Sequence, residues 1–337
     1  MSASSKWKEM LEEFRALGGV ADNVELRKGS LGRGLFPIDP KLPTKVVAPQ
    51  NLLFSVKDVE FTKNKIRIKD DSKVPERERA FFESYESGFS WGAGGKEDCE
   101  AFFESVGTLP ENVRNVLVQD LSLAGLKEMK SGPDRIQRRF LRSRMITYKG
   151  GHVIMPVVDL ANHGVKGCPF GIKEGITIGG TFEDEVLAHY GMVDPYGAFD
   201  VWGFTSNEPV AFSLPATMKL ASRQLSILRQ LSNKKVRGKF RIPVLESESD
   251  TVKISHLMLG HARFPRLAKG IFYQFMKEID EEHAEGLFDQ IRRFNIQQFL
   301  KLMEALDEHE GPLVSTLRRL CRHQISAITH SVGTREI

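Results

Sequence analysis

The sequence predicts an α+β fold on three observations. Glycine-punctuated runs rich in β-branched residues occupy two separate stretches, before about residue 70 and again after about residue 150. A charged, phenylalanine-rich stretch with helical spacing separates them. Beyond Pro215, apolar residues recur at helical spacing to the end of the chain.

The elements follow in order. Trp7, Met10, Leu11, Phe14 and Leu17 recur at helical spacing with Lys and Glu between them, and Gly18-Gly19 stops the run, so the chain opens on one short amphipathic helix. Val24 to Asp39 reads as strand, turn and strand around Gly29, Gly32 and Gly34. Val46 to Ile68 continues the pattern, and Ile66 and Ile68 alternate with Lys65, Arg67 and Lys69 as in a half-exposed strand. From about 75 to 145 the spacing is helical: Phe81-Phe82, Phe102-Phe103, Val113, Val116-Leu117 and Leu121 sit among charges, with punctuation at Gly132-Pro133. Strands return at Val153 to Val158, Gly175 to Ile178 and Glu185 to Ala188. After Pro215, stripes such as Ile271, Phe272, Phe275, Met276 and Ile279, or Leu313, Leu317, Leu320 and Ile328, predict helices whose apolar faces form core. The expected division is a β-rich domain over 1–214 with a helical insert at about 75–145, then an all-α domain over 215–337.

Composition narrows the function classes without naming one. A length of 337 residues suits about two domains. A hydrophobic share of 41% beside 27% charged residues excludes an intrinsically disordered chain, and 29 Gly and 15 Pro without a period exclude collagen-like sequence. The formal net charge of +4 is spread along the chain and argues only weakly for a nucleic-acid partner. Cys99, Cys168 and Cys321 are odd in number, far apart and outside any CxxC pair, which speaks against a disulfide framework or zinc site and for a reducing compartment. The first ten residues lack the apolar core of a secretory signal, and no apolar stretch reaches the length of a bilayer, so the expectation is cytoplasmic without membrane attachment. His256, His261, His283, His309, His323 and His330 show no HExxH spacing, and no metal is expected.

Three clusters have residue types suited to chemistry. Gly29-Ser30-Leu31-Gly32-Arg33-Gly34-Leu35-Phe36 is a glycine-rich turn between two strands, where positive φ is accessible and the backbone can approach a ligand. Alone it reads as a tight hairpin. A Rossmann turn would need a following helix and a later acidic residue, and a Walker loop would need Gly-Lys-Ser/Thr. Met155-Pro156-Val157-Val158-Asp159-Leu160-Ala161-Asn162-His163 is an apolar run ending in polar groups. Their atoms, at a buried strand end, need partners or a ligand; the plain reading is a polar cap. Glu183 to Gly191, followed by Asp200-Val201-Trp202-Gly203-Phe204, reads alone as an edge strand and turn. The basic runs Arg135 to Arg144 and Lys234 to Lys239 have few interleaved aromatics and read as solvated faces.

Taken together and in this order, the segments resemble the SET-domain protein methyltransferases, particularly the branch containing the RuBisCO large-subunit lysine methyltransferase. The similarity covers most of the chain. Gly32-Arg33-Gly34-Leu35-Phe36 is similar to that family's GxGLFA turn, and Leu141-Arg142-Ser143-Arg144 to its LRSRAF segment. Met155 to His163 is similar to VPxADLxNH, Glu185-Val186 to Tyr190-Gly191 to GEEVxxxYG, and Trp202-Gly203-Phe204 falls where the family has YGF. Trp202 thus replaces a tyrosine, and Met145-Ile146 replaces Ala-Phe.

The resemblance implies small sheets around a pseudo-knot, an inserted helical segment and a C-terminal all-α domain like that branch's substrate-binding domain. It implies S-adenosyl-L-methionine as cofactor and a protein as substrate, methylated on a side-chain nitrogen, lysine Nε foremost. By the same resemblance, Gly32, Arg33 and Gly34 offer backbone groups to the cofactor, Arg144 pairs with its carboxylate, Asn162 bonds its amino group, and His163 and Phe204 complete its site. Tyr190 is both cofactor-binding and catalytic, its hydroxyl set near the sulfonium. Ser143, Ile146 and Trp202 line the substrate channel, and Asp159 orients the strand end. Transfer needs the nucleophile in line with the carbon–sulfur bond and a lysine held neutral, which an apolar channel favours. Histidine as the target, or a non-catalytic adaptor using the SET scaffold and helical tail, are the alternatives; Tyr190, Asn162 and Arg144 argue against the adaptor. A monomer that binds neither membrane nor nucleic acid is expected.

Overall fold

The computed structural model describes residues 3–62, 65–123, 134–220, 223–229, 235–237, 240–277, 279 and 284–330. The punctuation at Gly132-Pro133, His283, and Lys234, Gly238 and Lys239 of the second basic run lie outside them. The chain divides into two units, one of Met1–Phe103 with Ser131–Gly191 and the other of Glu104–Lys130 with Met192–Ile337.

The first unit opens on α1, Ala3–Ala16, whose apolar stripe Trp7, Met10, Leu11 and Phe14 is buried. Gly18, left-handed at φ 91°, ends it, and the amides of Gly18 and Gly19 donate to the carbonyls of Arg15 and Phe14 at 2.9 Å. Seven short strands follow: β1 (Val20–Asp22), β2 (Val24–Gly29), β3 (Gly32–Pro37), β4 (Thr44–Pro49), β5 (Phe54–Ser55), β6 (Val59–Thr62) and β7 (Lys65–Ile68). β2 and β3 form the expected hairpin, and β6 pairs with β7, which buries Ile66 and Ile68. The apolar side of α1 rests on α2, Glu76–Phe89, with Trp7 against Phe89 and Phe14 against Phe81.

The helical insert continues through α3 (Gly95–Gly107), α4 (Glu111–Asn115) with a π-helical turn over Val116–Asp120, and α5 (Asp134–Arg144). The division between units passes through this insert, since residues 104–130 belong to the second unit.

The first unit ends with β8 (Met145–Tyr148), β9 (Gly151–Ile154), β10 (His163–Pro169), β11 (Gly171–Ile172), β12 (Gly175–Gly180) and β13 (Ala188–His189). An antiparallel sheet runs β1-β4-β12-β11, a second runs β5-β9-β8, and β10 pairs with β13 in parallel. These small sheets and α1 and α2 share one core that includes Phe14, Leu35, Val46, Phe54, Phe82 and Ile154. Two expected strands are shorter than their apolar runs. Val153 to Val158 leaves the ladder after Ile154 because Pro156 has no amide to donate. Val157, at φ 70° and ψ −49°, then turns the chain into a 3-10 turn over Val158–Leu160. Glu185 to Ala188 becomes strand only at Ala188; the Val186 amide donates instead to the Leu35 carbonyl at 2.8 Å.

The second unit contains α6 (Pro195–Trp202), β14 (Val210–Phe212), β15 (Ala216–Leu220), β16 (Arg223–Leu228), β17 (Lys235–Arg237), β18 (Phe240–Ile242), β19 (Val244–Ser247), β20 (Thr251–Ser255) and β21 (Met258–His261). Helices α7 (Leu267–Met276), α8 (Ala284–Ala305) and α9 (Pro312–Thr329) follow. The expected all-α domain over 215–337 is therefore corrected. Residues 216–261 build a sheet in the order β15-β16-β20-β19 and the ribbons β14·β21 and β17·β18. The cause is period-two patterning: Leu225 and Ile227, like Val252 and Ile254, are buried, while the residues between them face away. The first unit likewise closes at Gly191 rather than at residue 214. No helix among the described residues is long and apolar enough to cross a membrane.

Asp194 organises this second unit. It is fully buried at the head of α6, where Oδ1 accepts from the Gly197 amide at 2.8 Å and Oδ2 from the Phe212 amide at 3.0 Å and the Gln324 side chain at 2.7 Å. The Arg229 guanidinium meets both oxygens. Burial alone would raise this carboxyl's pKa, but Arg229 and the hydrogen bonds outweigh it and hold it below the ordinary value. A depressed folded pKa gives stability that is fully present above the unfolded value near ~3.9 and is lost as pH falls through the folded value. Asp194→Ala should therefore lower the urea midpoint at neutral pH, by a destabilisation of ~3–5 kcal/mol. The gap from wild type should narrow below about pH 4; an unchanged midpoint would remove Asp194 from this role.

Candidate functional site

The β2–β3 hairpin brings the glycine turn to the site, with two glycines acting for different reasons. Gly32, at φ 100°, has open space where a Cβ would lie, so the turn needs its conformation. Gly34 is not left-handed; a Cβ there would overlap the Glu185 carboxylate and lie 2.6 Å from the Asn162 amide nitrogen. Close approach, not backbone freedom, demands glycine at 34.

Asn162 occupies the gap that Gly34 leaves. Its Nδ2 donates to the Arg33 carbonyl at 3.2 Å and to Glu185 Oε1 at 2.6 Å, and its own carbonyl accepts from the Ala188 amide at 2.9 Å. Burial raises the Glu185 carboxyl pKa, and the Asn162 amide only partly offsets this. The Arg33 side chain donates to the Phe89 carbonyl at 2.8 Å. Burial and then the neighbouring charge of Arg144 pull its pKa down.

His163 and Tyr190 follow from the parallel pairing of β10 with β13. His163 Nδ1 accepts from the Tyr190 amide at 3.3 Å, which places the proton of a neutral ring on Nε2. The Tyr190 hydroxyl donates to the Ala161 carbonyl at 2.7 Å, and its ring stacks on Phe170 with centroids 6.2 Å apart. Burial, opposed only in part by Arg144, pushes the phenol up to about 12. Tyr190 is thus a neutral donor at physiological pH.

Arg144, the last residue of α5, donates to the Asp159 carbonyl at 2.8 Å and lies 3.7 Å from Asp159 Oδ2. Asp159 Oδ1 accepts from the Tyr85 hydroxyl. Burial holds the Asp159 carboxyl above its ordinary range despite Arg144.

The structure brings Gly32, Arg33, Gly34, Asn162, His163 and Tyr190 to one place, and Arg144 is within electrostatic reach of Arg33 and Tyr190. Ser143 turns its hydroxyl onto its own helix, donating to the Phe140 carbonyl at 2.8 Å. Ile146 pairs with Val153 across β8 and β9 and packs on the core. Trp202 and Phe204 belong to the second unit, where they flank the left-handed Gly203 and stack with centroids 5.9 Å apart.

No family model matches the chain. A protein of Aquifex aeolicus (strain VF5), described as an uncharacterized protein, is 32% identical over 111 residues, which make up 32% of this chain and 91% of the relative. This chain belongs to the family of that protein. The kinship extends over about a third of this chain and nearly all of the Aquifex protein.

Sequence reasoning passed over Glu185, Tyr85 and Glu86 as site residues. Glu86 carried a signal: it lies four residues after Phe82 and three before Phe89, a position on the buried stripe of α2. Glu185 stood in an acidic triplet that gave no sign of which carboxylate turns inward. Chemically, the Arg33 and Ala161 carbonyls and the Glu185 carboxylate suit a cationic centre, and two guanidiniums suit a carboxylate. Among the described residues no group of three His, Cys, Asp or Glu could hold a metal.

The two glycines separate by mutation. Gly34→Ala should destabilise by ~1–3 kcal/mol through overpacking, and Glu185→Ala in the same chain should recover much of that loss. Gly32→Ala should cost about 1 kcal/mol through its backbone, with no recovery from Glu185→Ala. Thermal denaturation of the four proteins checks this; equal behaviour of the two glycine variants would refute it.

Proposed function

We propose that the chain is an S-adenosyl-L-methionine-dependent methyltransferase on a SET-domain scaffold, acting on a protein side-chain nitrogen, lysine Nε foremost. The observation that carries the reading is the Asn162 amide on the Arg33 carbonyl, which joins motifs 129 residues apart beside Gly34, where a Cβ would meet that amide. The donor set fits the cofactor, which combines an ammonium, a carboxylate and a sulfonium. When bound, it supplies an electrophilic methyl group.

The chain's own residues do the rest, all within the first unit. The Glu185 carboxylate, the Arg33 carbonyl and Asn162 would receive the ammonium, and Arg144 the carboxylate. The Tyr190 hydroxyl and the Ala161 carbonyl would present oxygen to the sulfonium and its methyl group. A phenol held up to about 12 is no base, so the target amine must lose its proton to solvent before transfer. The burial that keeps Tyr190 neutral favours a neutral amine beside it.

The test is transfer of labelled methyl from S-adenosylmethionine to proteins of a cell lysate, followed by amino-acid analysis. Labelled methyl-lysine is expected, whereas labelled methyl-histidine would select the other target. Tyr190→Phe should slow transfer by about 10²–10³-fold while S-adenosylhomocysteine binding changes far less. Full activity in that variant would overturn the role of Tyr190. Binding without any transfer would favour the adaptor, and no binding would overturn the reading.

A further inference from the structure

We propose that Tyr85 is a positioning residue for ligand recognition: by holding the Asp159 carboxylate back from a full ion pair with Arg144, its hydroxyl keeps the Arg144 guanidinium open to a ligand's carboxylate. The inference rests on the methyltransferase reading for the identity of that ligand, and on the contacts of Tyr85, Asp159 and Arg144 for the rest.

Tyr85 has no exposed surface, and its ring stacks on Phe81 and Phe89 of the same helix, with centroids 6.3 Å and 6.4 Å away. Its hydroxyl donates to Asp159 Oδ1. Burial, then the charge of Asp159, holds the phenol well above its ordinary pKa, so the proton stays with the donor. Asp159 is fixed through its backbone as well, its amide donating to the Met155 carbonyl at 3.0 Å. The other carboxylate oxygen, Oδ2, is buried and accepts no hydrogen bond among the described residues. Arg144 Nη1 lies 3.7 Å from it, beyond hydrogen-bond length.

A buried carboxylate oxygen without a partner is costly, and a guanidinium beside it offers a two-bonded pair that would remove the cost. A small shift of the carboxylate would close that pair; the hydrogen bond from Tyr85 to Oδ1 opposes it. The guanidinium is meanwhile engaged at one end. Nη1 donates to the Asp159 carbonyl at 2.8 Å, Cζ lies 5.7 Å from the centre of the Phe140 ring, and Nε and Nη2 donate to nothing among the described residues. Those planar donors suit a ligand carboxylate. Closure of Oδ2 onto Arg144 would set an internal anion in competition with it. Tyr85 thus favours a ligand that carries a carboxylate over the same ligand without one, and it acts through Asp159.

Calorimetry on the full chain at neutral pH tests this with S-adenosylhomocysteine and its decarboxylated analogue, which keeps the adenosine, the thioether and the amine. Wild type should prefer S-adenosylhomocysteine. Tyr85→Phe, which keeps the ring, should bind it about tenfold more weakly and bind the analogue as wild type does. Equal losses for both ligands would make Tyr85 merely structural and overturn the proposal, as would an unchanged affinity for S-adenosylhomocysteine. A wild type that binds both ligands alike would overturn it while leaving the methyltransferase reading intact, and a wild type that binds neither overturns both. Asp159→Asn removes the anion that closes on Arg144 but keeps the main-chain carbonyl, so Tyr85→Phe added to that variant should cost no further preference for the carboxylate. A tenfold loss repeated there would overturn the proposal, and this second pair of proteins decides the matter should Tyr85→Phe alone fail to fold.

Discussion

The half-buried Arg144 guanidinium is met twice by Asp159, with a carbonyl oxygen at 2.8 Å and a carboxylate oxygen at 3.7 Å. A charge taken out of water without such partners would be strongly destabilising. To offer both groups to one cation, the chain cannot run straight through Asp159 as a strand. Pro156 ends the ladder, and Val157 accepts a left-handed conformation that costs of order 1–3 kcal/mol, held in place by complete burial. Tyr85 from α2 fixes the carboxylate from the other side. The end of the helical insert, the second helix and the strand-end turn are thereby tied at one point. Ala161, Asn162 and His163 follow that turn immediately, so the site takes its geometry from this pair.

The chemistry of the site follows from burial more than from any single contact. Desolvation is the largest influence on Tyr190, Glu86, Glu185 and Asp159, and in each it favours the neutral form. The result is a setting in which neutral donors and carbonyl acceptors lie beside the Arg33 and Arg144 guanidiniums and the Asp159 and Glu185 carboxyls. Such a setting favours an amine without its proton and a cationic ligand over a strongly basic side chain.

Much of the first unit was legible where local rules and tertiary packing agree. The Trp7 to Phe14 stripe ended at Gly18, and the hairpin turned at Gly32, because each residue's own conformational preference already points to the observed state. Alternation about Ile66 and Ile68 gave the right strand for the same reason. The strands over 216–261 were hidden by context. Leu225, Ile227, Val252 and Ile254 do alternate, but each run is short and set among helix-compatible residues, and the parallel pairing of β16 with β20 joins segments more than twenty residues apart. The site divided similarly. Asn162 and His163 stood out as polar groups at the end of an apolar run, and Tyr190 through the family resemblance alone. Glu86 could be read as a position on the buried stripe of α2, whereas Glu185 becomes visible only once folding carries it onto Asn162, which no local spacing encodes.

The most direct measurement is a crystal structure of the chain with S-adenosylhomocysteine bound. The expected result places the ligand's carboxylate within hydrogen-bonding distance of Arg144, its amino group at the junction of Asn162, Glu185 and the Arg33 carbonyl, and its sulfur towards the Tyr190 hydroxyl, with the Arg144–Asp159 pair intact. A ligand seated elsewhere, or one seated at Asn162 with Arg144 untouched and its pair with Asp159 broken, would contradict the dependence of the site on that pair.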